Sequence, residues 1–237
     1  MGHSMKRLCT ICARGGSKGV PNKNIRPIGG KPLIVHSVLQ AQSSGLFEAI
    51  AVSSDSPEIL DISKKFGADY SIFRPQELAS DTSPKLPAIQ HCVNEVETLS
   101  GENFDVIVDL DVTSPLRITK DIEGAVKLLE DKNVSNVITG CPARRSPYFN
   151  LVERDEMGYA RLSKPPEKTI TCRQDAPECF DMNASIYVWQ RAALFDYPTV
   201  FNADTRLFVM PEERSTDIDN ELDFEIVEFL MKKRNSP

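Results

Sequence analysis

Short apolar runs alternate along the chain with longer segments in which apolar positions recur every three or four residues. The short runs predict strands, because a strand covered on both faces is apolar at nearly every position, and the longer segments predict amphipathic helices. The pattern places strands at residues 8–13, 49–54, 70–73, 105–111, 134–141, 184–189 and 206–210, and helices at residues 33–44, 56–66, 86–99, 119–131 and 221–233. This alternation favours an α/β fold with a parallel sheet between two layers of helices.

Local signals support two of the helix starts and the position of one strand. Pro57 stands at the first turn of a predicted helix, where its missing N–H costs little, and Thr119 is suited to cap another helix. If the strand order is doubly wound, the strand at residues 105–111 lies at the centre of the sheet.

The character of the chain changes between residues 142 and 177. Prolines stand at positions 142, 147, 165, 166 and 177, and the polar and aromatic pieces between them have no long helical period. We therefore predict an insertion of short strands and loops. At 237 residues, the chain is long enough for one large domain that carries such an insertion.

Composition is typical of a soluble globular protein, with 41% hydrophobic and 26% charged residues. No apolar run approaches the roughly 18 residues that span a bilayer, and no signal-peptide pattern precedes the first strand, so we expect a cytoplasmic protein without a membrane partner. The formal net charge of −6 argues against nucleic-acid binding. Residues 1–47 nevertheless contain seven Lys or Arg residues and no Asp or Glu, which predicts a local site for a small polyanion.

Six cysteines stand at positions 9, 12, 92, 141, 172 and 179. Cys9 and Cys12 have the spacing of a metal-binding pair, but residues i and i+3 of a strand point to opposite faces, so these thiols cannot chelate one ion. We expect buried, reduced thiols instead.

The first predicted strand runs directly into a glycine-rich, basic loop. Gly15, Gly16 and Gly19 are interleaved there with Arg14, Ser17, Lys18 and Lys23. Glycines let main-chain N–H groups turn toward a phosphate, and Lys and Arg side chains supply the counter-charge. The spacing matches neither the Walker A motif nor the dinucleotide-binding fingerprint. The loop predicts an anion site, although on its own it is also typical of a surface turn.

Two pairs of aspartates form the acidic counterpart of this loop. Asp109 and Asp111 end a predicted strand and share a face, because they are two residues apart, and Asp217 and Asp219 repeat the spacing before the last helix. Ligands of open α/β sheets gather at the carboxyl ends of the strands, and carboxylates there suit Mg²⁺. The alternative is that Asp217 and Asp219 cap the last helix.

Five stretches of the chain, taken together and in order, resemble the acylneuraminate cytidylyltransferases, the CMP-sialic acid synthetase family with its CMP-legionaminic acid branch. They lie at residues 13–24, 74–82, 113–117, 173–174 and 215–219. The resemblance implies a Rossmann-like, three-layer α/β/α nucleotidyltransferase of the glycosyltransferase-A type, with one domain over residues 5–235. It further implies a homodimer in which the insertion at residues 142–177 packs against its twin.

By the same resemblance, the chain transfers CMP from CTP to the anomeric hydroxyl of a nine-carbon 2-keto sugar acid and releases pyrophosphate. The residues that match the family's nucleotide-binding positions are Arg14, Gly16, Ser17, Lys18, Lys23, Asn24 and Arg74. Asp217 and Asp219 match carboxylates that hold Mg²⁺, and Arg173 matches an arm that reaches the sugar acid in the partner subunit. Four of these residues are expected to stabilise charge during catalysis: Lys23, Arg14, Asp217 and Asp219.

The chain departs from the sialic acid type at three places. Asp111-Val112 replaces Gln-Pro, and because related sugar-acid cytidylyltransferases use an acid there, Asp111 becomes a third candidate for Mg²⁺. Asn183-Ala184-Ser185 replaces Asn-Gly-Ala, and residues 141–149 resemble the legionaminic acid branch. We expect an N-acylneuraminate or legionaminate substrate. The alternatives are another sugar acid such as 3-deoxy-octulosonate, a sugar phosphate, or a non-catalytic nucleotide-binding regulator on the same fold.

Overall fold

The computed structural model of the protein describes residues 5–16, 19–80, 83–166, 168, 170 and 172–235. Its strands are β1 (Arg7–Cys12), β2 (Pro27–Ile28), β3 (Lys31–Pro32), β4 (Ala49–Ser54), β5 (Tyr70–Phe73), β6 (Val106–Leu110), β7 (Asn136–Pro142), β8 (Val152–Arg154), β9 (Ala160–Leu162), β10 (Phe180–Gln190) and β11 (Arg206–Val209). Its α-helices are α1 (Leu33–Ser44), α2 (Pro57–Lys65), α3 (Lys85–Ser100), α4 (Thr119–Lys132), α5 (Arg191–Asp196) and α6 (Glu221–Asn235). The elements predicted from the apolar pattern are present within a few residues of their expected bounds.

Seven strands form the main sheet, in the order β11-β7-β10-β6-β1-β4-β5. The neighbours β6, β1, β4 and β5 run parallel, and so do β7 and β11. β6 is the fourth of the seven strands, which confirms the central position predicted for it. The carboxyl ends of β1, β4 and β6 therefore meet at one edge of the sheet.

The predicted parallel sheet has an exception at β10, which runs antiparallel to both β6 and β7. Its first residue, Phe180, lies opposite Pro142 at the end of β7. The chain leaves the sheet after Pro142 and returns at the same edge, so β10 folds back along β7 without the crossover that a parallel pair requires. An apolar run does not encode this direction, because the direction depends on the connection.

Side chains of the central strand alternate between two apolar layers. Val106, Val108 and Leu110 pack into one layer, and Ile107 packs into the other. The first layer is covered by α1, α2, α4 and α6, and the second by α3 and α5. Each of these fully buried side chains contributes about 1.5 to 3 kcal/mol relative to exposure. The arrangement confirms the expected three-layer α/β/α fold.

Helix boundaries follow local signals. Pro57 occupies the first position of α2, as expected. The capping role predicted for Thr119 is wrong, because Thr119 is already helical and the carboxylate of Asp121 accepts the main-chain N–H of Ile118 at 2.9 Å instead. No helix in the described part of the chain combines the length and the apolar character needed to cross a membrane.

The cysteines are all free thiols. Cys9 packs in one apolar layer and Cys12 against the other, so the two point to opposite faces as predicted. The expectation of burial holds for Cys9, Cys92 and Cys141 and is wrong for the remaining three, which are partly exposed.

The segment predicted as an insertion contains β8 and β9, which pair as an antiparallel hairpin outside the main sheet. Four large apolar side chains of the hairpin region are exposed: Leu151, Val152, Met157 and Tyr159. Exposed apolar side chains concentrated on one short segment are typical of interaction surfaces.

Candidate active site

The carboxyl edge of the sheet encloses a cavity of about 420 Å³. Six residues singled out by the sequence line it together: Arg14, Lys23, Asn24, Arg74, Asp111 and Asp219. They come from the loop after β1, the end of β5, the end of β6 and the segment before α6. The structure therefore brings the basic loop and the acidic residues around one space.

A larger cavity of about 660 Å³ lies at the opposite edge of the sheet and is lined by Met5, Asp105, Glu130 and Arg191. Two of its charged groups are engaged in ion pairs, Glu130 with Arg7 and Arg191 with Glu97. Ligands of open α/β sheets bind at the carboxyl ends of the strands. We therefore assign the site to the smaller cavity.

The glycine-rich loop packs directly against the segment before α6. A Cβ atom on Gly19 would lie 1.9 Å from the main-chain oxygen of Asp219, so only glycine fits there. Lys23 Nζ donates a hydrogen bond of 2.6 Å to the main-chain oxygen of Ile218. Gly16, by contrast, is exposed, and nothing lies within 4 Å of its Cβ position. Gly19 and Lys23 thus fix the distance between the basic loop and Asp219.

Asn24 and Arg74 form the wall on the side of β1 and β4. Asn24 Nδ2 donates to the main-chain oxygen of Arg14 at 2.8 Å and holds the loop in place. The buried guanidinium of Arg74 donates to the side chain and main chain of Ser53, at 3.1 Å and 2.8 Å. Both residues are therefore held by structural hydrogen bonds at the surface of the cavity.

Asp109 and Asp111 share a face of β6 and its extension, as predicted, and both contact Lys85. Lys85 Nζ lies 2.8 Å from Oδ2 of Asp109 and 2.8 Å from Oδ2 of Asp111. Burial would lower the pKa of Lys85, but the two carboxylates outweigh it and raise the pKa. Burial would likewise raise the pKa of Asp111, but the charge and hydrogen bond of Lys85, with two hydrogen bonds from Thr113, hold it well below its usual range.

Lys85 is the site residue that sequence reasoning missed. It is the first residue of α3, where the partial positive charge of the helix terminus disfavours a cation. Asp109 and Asp111 compensate its charge. The sequence does not identify these two acids as the partners of Lys85, because the contacts result from the packing of α3 across the end of β6.

Asp217 is not among the residues that line the cavity; it is partly buried and accepts a hydrogen bond from the hydroxyl of Ser114. Burial raises the pKa of Asp217 to about 7, and the charges of Asp111 and Asp219 act in the same direction, against the Ser114 hydrogen bond. Asp217 is therefore close enough to both Asp111 and Asp219 for their charges to repel its own.

The alternative that Asp217 and Asp219 cap the last helix is wrong. The start of α6 is held by Asn220, whose Oδ1 accepts the N–H of Asp223 at 3.1 Å. Asp223 in turn accepts the N–H groups of Asp219 and Asn220 at 3.0 and 3.1 Å. The carboxylates of Asp217 and Asp219 are therefore not needed for the helix start.

The chemistry of this donor set fits a divalent cation. Within the described ranges, no three His, Cys, Asp or Glu side chains are already arranged around one metal position. Mg²⁺, however, is held through one or two carboxylates together with substrate phosphates and water. The mutual repulsion that contributes to the raised pKa of Asp217 is the kind that a bound cation relieves.

Arg117 lies behind Asp111 and is fully buried. Its guanidinium donates to the main-chain oxygens of Asp111 and Ser185, at 2.7 and 3.0 Å, and to the hydroxyl of Ser37. Burial lowers the pKa of Arg117 to about 10, against the raising effect of nearby acids, so it stays charged near neutral pH. Arg117 ties the end of β6 and the middle of β10 to α1.

Ala184 adopts the left-handed conformation, with φ of 50°, at a register shift in β10. It is the position where the resemblance expects glycine. Its neighbour Asn183 accepts a hydrogen bond from Thr139 at 2.7 Å and donates one to Ser215 at 3.0 Å. These contacts hold the shift in place and account for the strained alanine.

Three predicted contacts lie outside the described part of the chain. Ser17 and Lys18 fall in the gap between residues 16 and 19, and the side chain of Arg173 is also not described, although its main chain forms the short turn Arg173–Asp175. Their assigned contacts with the nucleotide and the sugar acid stay predictions.

The fold and the cavity define a class of protein. Cations after the first strand of an α/β/α sheet line one cavity with aspartates from the end of the central strand and from the segment before the last helix. These charges suit a nucleoside triphosphate with a divalent cation. Residues 8–206 match the family model described as Cytidylyltransferase. The chain belongs to the cytidylyltransferase family.

Individual relatives agree with this membership. Post-translational flagellin modification protein B of Campylobacter coli is 45% identical over 228 residues, which cover 96% of each chain. CMP-N,N'-diacetyllegionaminic acid synthase of Campylobacter jejuni subsp. jejuni serotype O:2 is 47% identical, with the same coverage. The structure of a CMP:2-keto-3-deoxy-manno-octonic acid synthetase complexed with CTP is similar, with a TM-score of 0.71, 19% identity and coverage of 97% of this chain and 99% of that chain. This last likeness concerns the fold.

Proposed function

We propose that this protein transfers CMP from CTP to the anomeric hydroxyl of a nine-carbon 2-keto sugar acid of the legionaminate or N-acylneuraminate type, with release of pyrophosphate. The observation that carries the proposal is the contact of Lys23 with the main chain of Ile218, at 2.6 Å, next to Asp219. This contact holds the ammonium of Lys23 next to the residue that precedes Asp219, and it supports the inference that one triphosphate contacts both side chains.

The reaction needs positioning and charge stabilisation. The anomeric hydroxyl attacks the α-phosphorus in line with the departing pyrophosphate and gives up its proton to water. One P–O bond forms as another breaks, and negative charge accumulates on the phosphoryl group. Lys23 and Arg14 neutralise this charge from the loop after β1. Asp217, Asp219 and Asp111 would hold Mg²⁺, which supplies further positive charge to the phosphates when bound.

A legionaminate-type acid is the first candidate acceptor. The relative named CMP-N,N'-diacetyllegionaminic acid synthase shares 47% of its residues with this chain over nearly its whole length, and residues 141–149 resemble the same branch. The 3-deoxy-octulosonate type has only a fold likeness at 19% identity in its favour.

We also propose a cytoplasmic homodimer joined through the insertion. The exposed apolar side chains near β8 and β9, among them Met157 and Tyr159 at 79% and 62% exposure, support this surface. In the dimer, Arg173 of one subunit would reach the sugar acid bound by the other. The cytoplasm is where CTP is available.

Pyrophosphate release tests the proposed reaction. The protein is mixed with CTP, Mg²⁺ and, in separate reactions, N,N'-diacetyllegionaminate, pseudaminate, N-acetylneuraminate or 3-deoxy-octulosonate. We expect the fastest release with the legionaminate, and loss of release in Asp219→Asn but not in Asp61→Asn, which alters an exposed aspartate of α2. CTP binding without release from any acid would instead indicate a regulator.

A further inference from the structure

Lys85 lies between two carboxylates of the site and has no role in the reaction assigned above. Its ammonium is shared between Asp109 and Asp111, at 2.8 Å from each, and lies 4.7 Å from the centre of the Tyr187 ring. Asp109 is fully buried, and its other oxygen accepts the hydroxyl of Thr10 at 2.9 Å. The cation is therefore fixed between two acids by α3, β6 and β10.

This arrangement leaves Asp111 little capacity for another cation. Its Oδ1 accepts two hydrogen bonds from Thr113, at 3.0 Å from the main-chain nitrogen and 2.9 Å from the hydroxyl. Its Oδ2 accepts Lys85 Nζ at 2.8 Å. Because a carboxylate oxygen has about two acceptor positions, one position on Oδ2 remains.

The charge around the site points the same way. Asp109, Asp111, Asp217 and Asp219 bring four carboxyl groups to this region, and the buried Arg117 offsets one of their charges. Lys85 removes one charge at the point where two of these acids meet. With these charges offset, a free divalent cation is attracted more weakly, and the phosphates of a bound nucleotide would add negative charge.

We propose that Lys85 is a positioning residue that acts as a built-in counter-cation to Asp109 and Asp111, and that it keeps free divalent metal from binding until CTP brings its phosphates. The inference rests on the proposed function, because it takes Asp111, Asp217 and Asp219 as the metal-binding carboxylates. According to this inference, the site itself determines the order of binding, because the metal ion binds together with the nucleotide and not before it.

Binding of Mn²⁺ alone, measured by the electron paramagnetic resonance signal of the free ion, tests the inference. We expect weak binding to the unaltered protein and binding at least about tenfold tighter to Lys85→Met. Lys85→Arg keeps the charge and should stay within about threefold of the unaltered protein. Lys65→Met removes an exposed lysine of α2 and is the matched control. With CTP present, the difference between Lys85→Met and the unaltered protein should shrink.

A second variant guards against misfolding, because Lys85→Met leaves buried Asp109 without its ion-pair partner. Lys85→Met/Asp109→Asn removes that buried charge and still frees Oδ2 of Asp111, so Mn²⁺ alone should again bind more tightly, by about threefold or more. Unchanged or weaker Mn²⁺ binding in both variants, with circular dichroism of the folded protein, overturns the inference. Absence of pyrophosphate release, with the tightening intact, overturns the proposed function alone.

Discussion

The side chain of Lys23 is hydrogen-bonded to the main chain of Ile218 across 195 positions of sequence, at 2.6 Å. One contact therefore joins the loop after the first strand to the segment before the last helix. The two ends of the chain contribute opposite charges to the same cavity, and the nucleotide proposed to bind there would lie between them.

Replacement of Lys23 tests the phosphate-binding side. Lys23→Met should lower kcat/KM by about one hundred to one thousandfold, because it removes a preorganised cation from the transferred phosphate. Pyrophosphate release measures the change. Lys31→Met, at an exposed position outside the cavity, should leave the rate unaltered. Equal losses in both variants would contradict a specific role for Lys23.

Gly19 and Gly16 lie in the same loop, so replacing each with alanine gives a test variant and its control. Gly19→Ala brings a Cβ to 1.9 Å from the main-chain oxygen of Asp219, so the loop must move away from the acidic side. We expect a loss of about 1 to 3 kcal/mol in the free energy of unfolding, and lower activity. Gly16→Ala meets nothing within 4 Å and should leave stability within about 0.5 kcal/mol. Urea unfolding measures the free energy of unfolding of both variants. Equal values for Gly19→Ala and Gly16→Ala would contradict the close packing of Gly19 against Asp219.

Ala184 offers a stabilising substitution. Its φ of 50° is unfavourable for alanine and free of strain for glycine. Ala184→Gly should therefore raise the free energy of unfolding by about 0.5 to 1 kcal/mol. Ala192→Gly, in the helix α5, should lower it by about 1 kcal/mol. Urea unfolding curves check both signs, and destabilisation by Ala184→Gly would show that the strain is absent.

Asp217 makes stability depend on pH in the absence of metal. Because the folded-state pKa is raised to about 7 from the ordinary 3.8, the folded protein retains a proton that the unfolded chain has already lost. Stability is thus highest at low pH for this group and falls as the pH rises from about 4 to about 7. Asp217→Asn does not titrate and should lack that decrease.

The comparison is made by urea unfolding in EDTA from pH 4.5 to pH 8. The variant should equal the unaltered protein near pH 4.5 and exceed it by about 1 to 3 kcal/mol at pH 8. Mg²⁺ with CTP should then stabilise the unaltered protein more than Asp217→Asn. A constant difference across the pH range would mean that Asp217 has an ordinary pKa.

The insertion should control assembly. Met157→Asp and Tyr159→Asp place a charge on the exposed apolar surface and should halve the mass measured by light scattering after gel filtration. Leu99→Asp alters an equally exposed apolar residue on α3, at 65% exposure, and should leave the mass unchanged. A monomeric unaltered protein, or a dimer that survives both hairpin variants, would contradict the proposed interface.

The elements of the fold were predictable because burial on both faces makes strands such as β1, β4 and β6 apolar almost throughout. β10 was predicted only from residue 184, since several of its first residues, among them Asp181 and Asn183, are polar and precede the register shift at Ala184. Its antiparallel direction was not predictable locally, because it results from where the insertion returns the chain to the sheet.

The part of the site that was predictable consists of charged residues that follow the ends of strands. Arg14, Lys23, Asp111 and Asp219 line one cavity because parallel strands end at one edge. Lys85 was not predictable, because its significance comes from contacts with Asp109 and Asp111 that only the packing of α3 creates. The fully buried Arg117 likewise supports the site through main-chain oxygens, which carry no sequence signature.

Pro142 and Phe180 lie side by side where β7 ends and β10 begins. Residues 143–179 therefore leave and rejoin the sheet at neighbouring positions. The residue pairs between β7 and β10 lie outside this stretch, so replacing the stretch leaves those pairs in place. A chimaera that carries residues 143–179 of a relative with a different sugar preference would test whether this stretch determines selectivity for the sugar acid. Of the proposed site residues, only Arg173 lies within the exchanged stretch, so those proposed to bind the nucleotide would stay unchanged.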